Sequence, residues 1–283
     1  MTATSASLAT RIDELSRTPA DAPLPEDTRS VIDELLSALE RGDVRAAERD
    51  AGGSWRAVTW VKRGILLGFR AGHLADMSPV GAFSFIDKDT YPTRRFTVGD
   101  NVRIVPGGST VRRGVHVGPG VVCMPPMFVN VGAYIDSQTM IDSHALVGSC
   151  AQIGKRAHVS AAAQIGGVLE PVNAAPVVIE DDVLVGGNCG VYEGTIVRAR
   201  AVLAAGVVLT RGTPVFDLVR ETVYRGSASR PLEIPEAAVV VPGTRALRDG
   251  WGGEQQLGLQ APVVVKYRDE KTDLATALEA WLR

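Results

Sequence analysis

Aliphatic residues recur at every sixth position through the middle of this chain. The series runs from Val117 to Ile165 with Cys123 as its one non-aliphatic member, and the same spacing resumes from Ile179 to Leu209. Ala or Thr often lies two positions before the aliphatic residue, and Gly often follows it. A period of six matches neither the helical repeat of about 3.6 residues nor the spacing of β-sandwich strands, which recur about every 8–12 residues. The pattern predicts a hexapeptide parallel β-helix, with one short strand and one turn in each hexad.

Three hexads, or about 18 residues, make one triangular coil of such a helix. Successive coils stack at the inter-strand spacing of a sheet, about 4.8 Å. The aliphatic residues point into the prism, and the small residues fit its tight corners. Hexapeptide helices are left-handed, which is a property of this fold type and not of the spacing. We therefore expect a mainly β chain built on a left-handed parallel β-helix, with a small N-terminal helical domain and a short C-terminal α/β extension.

The repeat is interrupted between Ile165 and Ile179. These residues lie 14 positions apart, which is one hexad plus eight residues. Insertions in a solenoid leave it as loops on one face, and this is often the binding face. A loop of this length is usually functional.

Both ends of the chain depart from the six-residue pattern. Asp27 to Arg41 carries one apolar stripe and stops at Gly42, which predicts an amphipathic helix, and Trp60 to Phe69 predicts a second. Short strands are expected at Val239–Val241 and Val263–Val265, and a terminal helix from Thr272 to Leu282. The chain therefore divides into three predicted segments: a mainly helical domain at 1–97, the β-helix at 98–235, and the C-terminal extension at 236–283.

Charge, hydropathy and cysteine count argue against several classes of protein. The 283 residues carry a formal net charge of −2, which argues against a nucleic-acid partner. No apolar run approaches the roughly 18 residues of a membrane span, and the N-terminus lacks a secretory signal pattern, so we expect a cytoplasmic protein without a membrane partner. The three cysteines are odd in number and widely spaced. They fit buried side chains in a reducing compartment better than a disulfide framework or a zinc site.

Asp142 occupies a turn position where Gly is common in other hexads. A turn Asp often binds its own backbone, so the residue alone is more consistent with a structural role than a chemical one. Asp136 stands at the equivalent position one hexad earlier and serves as the comparison.

A metal site would need several histidines to converge, but His116, His144 and His158 occupy unlike repeat positions. We therefore expect no metal.

Longer motifs resemble a known family. The segments Phe128 to Asp142, Val147 to Lys155 and Ile165 to Pro171 resemble the tetrahydrodipicolinate N-succinyltransferases. Trp-x-Lys and Leu-Leu-x-Phe within residues 60–69 also match. The resemblance covers the chain from about residue 28 to its end and is strongest between residues 124 and 194. Members of this family are trimeric acyltransferases of bacterial diaminopimelate and lysine synthesis.

The resemblance implies specific roles. The family binds succinyl-CoA and a cyclic dicarboxylate in clefts between adjacent β-helices, so we expect a homotrimer with no permanently bound cofactor. By position, Asp142 would lie beside the acceptor amine and serve both catalysis and substrate binding. Arg103 would pair with a substrate carboxylate, for which its planar guanidinium is well suited. Backbone groups would contact the pantetheine arm of CoA at Gly187, Ala204, Ala205 and Gly212.

The chemistry requires a base, because a protonated amine has no lone pair with which to attack a thioester. A carboxylate such as Asp142 can accept that proton. The chain departs from some relatives near this point: His144 replaces a Trp, and Gly190 replaces a second Glu, while Glu193 is retained. Whether His144 or Glu193 assists Asp142 is left open by the sequence.

Two other functions remain open at this stage. The chain could be an acetyl-CoA-dependent N-acetyltransferase acting on the same or a related amino dicarboxylate. It could also be a non-catalytic hexapeptide scaffold, although Asp142, Arg103 and the inserted loop argue against that interpretation.

Overall fold

Three parallel sheets wrap into a left-handed prism that forms the centre of the molecule. The computed structural model describes residues 3–78, 84–228 and 230–269. Each coil contributes one two-residue strand to each sheet, in the chain order face 1, face 2, face 3. The inward residues of all three faces form one buried aliphatic core. The predicted fold class is confirmed.

The strands of the prism are short and regular. Face 1 contains Arg103–Ile104, Val122–Cys123, Met140–Ile141, His158–Val159, Leu184–Val185, Val202–Leu203 and Ala238–Val241. Face 2 contains Thr110–Val111, Phe128–Val129, Leu146–Val147, Gln164–Ile165, Gly190–Val191 and Val208–Leu209. Face 3 contains His116–Val117, Tyr134–Ile135, Gln152–Ile153, Val178–Ile179, Ile196–Val197 and Glu233–Ile234.

Coil length explains the gap in the repeat. Ile135 pairs with Ile153, one coil of three hexads further along, whereas Ile153 pairs with Ile179 across a longer coil that includes the insertion. The extra segment leaves the prism between Gln164–Ile165 on face 2 and Val178–Ile179 on face 3. Pairing on both sides of the insertion keeps the same aliphatic residues inward, so the insertion does not disturb the core. The inserted loop, residues 166–177, therefore lies at the edge between faces 2 and 3.

Three helices form the N-terminal domain: α1 at Ala3–Leu15, α2 at Thr28–Arg41 and α3 at Thr59–Ala71. The two predicted helices are confirmed, and Gly42 ends α2 with a φ of 79°. The remaining helix, α1, was not predicted from the sequence. It packs Leu8, Ile12 and Leu15 into the core of this domain. Two antiparallel hairpins complete the domain: Ala47–Arg49 with Trp55–Ala57, and Leu74–Asp76 with Ile86–Lys88.

The N-terminal domain is anchored to face 3 by a buried carboxylate. Glu180 is 7% exposed and accepts hydrogen bonds from Trp55 Nε1 at 2.8 Å and Arg198 Nη1 at 3.0 Å. Burial disfavours the charge on Arg198, but its bonds with Glu233 and the attraction of both glutamates raise its pKa. Arg45 also reaches face 3, where its Nε donates to Gln152 Oε1 at 2.9 Å. Face 3 is thus covered by the chain's own N-terminal domain.

A buried lysine ties the inserted loop to the same domain. Lys62, on α3, has no exposed surface, and its Nζ donates to the carbonyls of Ala174 at 2.7 Å and Pro171 at 3.3 Å. Burial lowers the pKa of this amine. Lys62, the Lys of the Trp-x-Lys motif, therefore has a structural role in holding the loop against α3.

The chain returns to the prism at Glu233–Ile234 on face 3 and continues in it past residue 235. Ala238–Val241 pairs in parallel with Val202–Leu203, so coil stacking continues past the predicted boundary at 235. Val263–Tyr267 then pairs with Ala238–Val241, which confirms both predicted strands. The rest of the described extension comprises the strands Thr244–Ala246 and Gly258–Gln260 and the short helix α4 at Gly250–Glu254. The antiparallel strands Val215–Asp217 and Thr222–Tyr224 lie before residue 235. The helix predicted from Thr272 to Leu282 lies outside the described residues, and the three-segment division stays a prediction.

All three cysteines are free and buried, as expected. Burial raises the pKa of the Cys123 and Cys150 thiols to about 12. It also raises the pKa of Cys189, whose Sγ lies 3.1 Å from the Ala204 carbonyl oxygen.

Gly148→Ala is expected to destabilise the protein by about 1–3 kcal/mol, since overpacking costs energy that backbone cannot easily relieve. Gly148 faces the root of the inserted loop, where an added Cβ would overlap the backbone of Gly166 and Gly167. Urea unfolding would measure the change. Gly99→Ala is the control, because the nearest atom to its added Cβ is Thr97 Oγ1 at 3.6 Å. Equal midpoints for both variants would contradict the close packing at Gly148.

Candidate active site

Most of the predicted site residues lie along one edge of the prism. After each face 1 strand, a turn leads to face 2, and these turns stack through backbone hydrogen bonds. Ala162 N donates to Ser143 O at 2.8 Å, Asn188 N to Ala161 O at 3.0 Å, and Gly206 N to Gly187 O at 3.0 Å. The successive turns form the 1–2 edge, which carries Asp142, Gly187, Ala204 and Ala205. Three of the four predicted CoA-contact residues therefore line up with the predicted acid.

Asp142 stands at the start of its turn and is 30% exposed. Its Oδ1 accepts a hydrogen bond from the Ser143 backbone N at 2.7 Å. Its Oδ2 lies 3.6 Å from Nε2 of His158, a residue of the coil stacked on it. The first contact is the local backbone bond that any turn Asp can make, but the second is not part of the turn.

Arg103 lies on the face that adjoins this edge. Its strand pairs with Val122–Cys123, which pairs in turn with Met140–Ile141. Two strand spacings, about 10 Å along the prism axis, therefore separate Arg103 from the coil of Asp142. Arg103 is exposed on the outer surface of face 1. Arg103 therefore lies on the face that leads to the edge of Asp142, two coils away from that residue.

Gly212 and Glu193 lie on a different edge. Both follow face 2 strands, and the Arg211 backbone N donates to Glu193 Oε2 at 3.1 Å. This 2–3 edge also carries the inserted loop. Within one chain, Gly212 and Glu193 are thus separated from Asp142 by the width of face 2, so Glu193 does not assist Asp142 of its own subunit.

His144 is two residues from Asp142 but exposed. It has a φ of 61°, and its backbone N donates to Pro126 O at 2.5 Å. Its observed role is to close the turn. Within residues 3–78, 84–228 and 230–269, no three His, Cys, Asp or Glu side chains are grouped so that they could hold a metal ion.

Gly190 leaves space that an aromatic ring fills. A Cβ built on Gly190 would lie 2.5 Å from Tyr192 Cε2. The Tyr192 ring therefore packs over face 2 at Gly190.

The comparison residue Asp136 lies beside a cavity that the sequence did not predict. Its Oδ1 accepts from the Ser137 N at 2.7 Å, which matches the local bond of Asp142. It also lines a cavity of about 220 Å³ between face 3 and the N-terminal domain, together with Arg45, Arg49 and Glu180. Asp181 also lines the cavity, so two arginines face three carboxylates there. The sequence did not reveal this cavity because its walls come from distant segments.

None of the helices in the described part of the chain is both long and apolar enough to cross a membrane.

Comparisons with known proteins agree with the motifs. A family model described as tetrahydrodipicolinate N-succinyltransferase N-terminal matches residues 7–71, and one described as hexapeptide repeat of succinyl-transferase matches residues 176–211. A 2,3,4,5-tetrahydropyridine-2,6-dicarboxylate N-succinyltransferase of Rhodopseudomonas palustris is 41% identical over 276 residues, which cover 95% of this chain and 94% of the relative. An enzyme of the same name from Acinetobacter baylyi is 37% identical, covering 93% and 92%.

A solved structure supports the fold. A Campylobacter jejuni protein provisionally assigned as a 2,3,4,5-tetrahydropyridine-2-carboxylate N-succinyltransferase superposes with a TM-score of 0.51. The match covers 90% of this chain and 65% of that one, at 16% identity.

Proposed function

Because this chain belongs to the tetrahydrodipicolinate N-succinyltransferase family, we propose that it transfers the succinyl group of succinyl-CoA to the amine of tetrahydrodipicolinate, in diaminopimelate and lysine synthesis. The observation that carries the proposal most is the end-to-end match with relatives of that name. The stacked turns of the 1–2 edge support it, because they set a carboxylate at one end of a row of small residues. Succinyl-CoA is a co-substrate in this proposal, with no resident cofactor.

Asp142 is the proposed base. Tetrahydrodipicolinate is a cyclic imine, so water first adds across its C=N bond and gives the nitrogen an N–H. Asp142 accepts that proton as the nitrogen bonds to the thioester carbonyl carbon. The tetrahedral intermediate then collapses, the C–S bond breaks, and the CoA thiolate takes up the proton. Arg103 holds a substrate carboxylate, so the amine is presented to the thioester in a fixed geometry, which lowers the entropic part of the barrier.

A homotrimer would complete the site. The 1–2 edge is opposite face 3 in a triangular prism, and face 3 is covered by the chain's own N-terminal domain. The 1–2 edge is therefore the edge turned away from that domain. We propose that a neighbouring subunit packs against it and supplies the second wall of the CoA cleft, and that Gly212 contributes to the cleft from the neighbour.

Ala205→Glu is expected to raise the KM for the acyl-CoA about tenfold or more, equivalent to about 1.4 kcal/mol, with a smaller change in kcat. Ala205 is exposed on the 1–2 edge, where a glutamate adds bulk and negative charge against the phosphate-bearing donor. Initial-rate kinetics would measure it. Gly212→Glu, at an open position on the 2–3 edge, is the paired variant: a similar rise would support the cleft between subunits, and an unchanged KM would remove Gly212 from it. An unchanged KM for Ala205→Glu would contradict the groove itself.

The donor experiment tests the proposed function. Purified protein with tetrahydrodipicolinate should release thiol faster with succinyl-CoA than with acetyl-CoA. A preference for acetyl-CoA would retain the acyltransfer chemistry and overturn the succinyl assignment. Absence of thiol release with both donors would favour another acceptor or a non-catalytic scaffold.

A further inference from the structure

His158 lies beside Asp142, although it belongs to the next coil. It pairs with Met140 across adjacent strands of face 1, and Asp142 begins the turn after Met140–Ile141. The His158 side chain is 18% exposed, and both ring nitrogens are shielded from solvent. The imidazole is thus a largely buried polar group with its Nε2 3.6 Å from Oδ2 of Asp142.

The residues stacked directly on this pair in the adjacent coils are uncharged. Met140 and Leu184 flank His158 on the strands below and above it. The turns stacked on either side of Asp142 are 124–126 and 160–162, and their sequences, Met-Pro-Pro and Ser-Ala-Ala, contain no ionisable side chain. In apolar surroundings, a contact between an imidazole N–H and a carboxylate is stronger than in water.

The two oxygens of Asp142 have different neighbours. Oδ1 is fixed by the Ser143 backbone N, and Oδ2 faces His158. The distance of 3.6 Å is about 0.6 Å longer than a typical hydrogen bond. Such contacts often tighten when substrate binds.

We propose that His158 is a positioning residue for the acyltransfer reaction: its Nε2–H donates to Oδ2 of Asp142 and fixes the carboxylate plane towards the acceptor amine. The inference rests on the proposed function of Asp142. Each carboxylate oxygen retains a second lone pair, so Asp142 can still accept the amine proton while Ser143 and His158 hold it. His158 itself exchanges no proton with the substrate.

Two substitutions test the proposal through steady-state kinetics. His158→Leu suits the apolar neighbours but removes the donor, and it should lower kcat about 10- to 100-fold through lost orientation, with the KM for the dicarboxylate changed by about twofold or less. His158→Gln keeps an N–H donor at a similar reach and should restore most of kcat. Unchanged kcat in His158→Leu would overturn the proposal. Equal losses in both variants would also overturn it, because they would assign the imidazole itself as the base.

A spectroscopic measurement tests the contact without relying on activity. In protein with isotope-labelled histidine, the ring ¹⁵N signals of His158 should shift in Asp142→Asn and stay in place in Asp136→Asn. The signals of His73, an exposed residue that follows α3 in the N-terminal domain, should be unchanged in both. Unshifted His158 signals in Asp142→Asn would overturn the pairing. If the wild-type protein releases no thiol while the signals do shift, the proposed function fails but the His158–Asp142 contact stands, so the two failures are distinguishable.

Discussion

Asp142→Asn is expected to lower kcat/KM with succinyl-CoA and tetrahydrodipicolinate by about 10²- to 10⁴-fold, the usual contribution of a general base. The substitution is nearly isosteric, and an amide oxygen can still accept the backbone bond from Ser143. It removes the negative charge and the capacity to take the amine proton. Thiol release under subsaturating substrate gives the ratio directly.

Asp136→Asn is the matched control. Both aspartates follow a strand and accept the backbone N–H of the next residue at 2.7 Å. Asp136 lies on the edge between faces 3 and 1, against the N-terminal domain, so its variant should retain kcat/KM within about threefold of the wild-type value, as expected for a residue outside the reaction. Loss of activity only in Asp136→Asn would move the active site to the cavity beside Arg45. Full activity in Asp142→Asn would remove Asp142 as the base.

Glu180→Ala is expected to lower the free energy of unfolding by about 3–5 kcal/mol, because the Trp55 Nε1–H and Ala199 N–H donors lose their acceptor and Arg198 loses one of its two carboxylate partners. Four groups contact this carboxylate: Trp55 Nε1, the Ala199 backbone N, and the guanidinium groups of Arg198 and Arg49. The loss removes one of the links between the N-terminal domain and face 3, while the contact of Arg45 with Gln152 remains. Thermal or urea unfolding of the intact protein measures the change.

Glu233→Ala provides the comparison for that variant. Glu233 also binds Arg198, at 2.7 Å, but its side chain is 39% exposed. Water can replace this carboxylate, so the expected cost is about 1 kcal/mol or less. Equal costs for the two glutamate variants would show that burial of Glu180 does not determine its contribution.

The repeat made the prism predictable because one spacing governs every coil. Counting positions in whole coils of 18 residues could have predicted the location of more of the site residues. Ala205 follows Gly187 by one whole coil of three hexads, whereas Gly212 does not share that register. His158 likewise follows Met140 by one whole coil, so its position beside Asp142 was available from the sequence, although its side-chain direction was not.

Other features had no local pattern to reveal them. The contacts of Trp55 with Glu180 and of Arg45 with Gln152 join residues more than 100 positions apart. Helix α1 did have a signal, since Leu8, Ile12 and Leu15 follow helical spacing, but its Ala- and Ser-rich composition obscured it. Lys62 was recognised only as part of a motif, and its buried bonds to the inserted loop depend on tertiary packing.

Burial of the cysteines has a practical consequence for following the reaction by colour. Disulfide reagents that report free CoA react with thiolates and not with thiols. The pKa values of about 12 for Cys123 and Cys150 leave almost no thiolate at neutral pH, and both side chains are enclosed by the protein. The folded enzyme should therefore give a low background in such an assay, and a slow rise in colour without substrate would report unfolding of the prism.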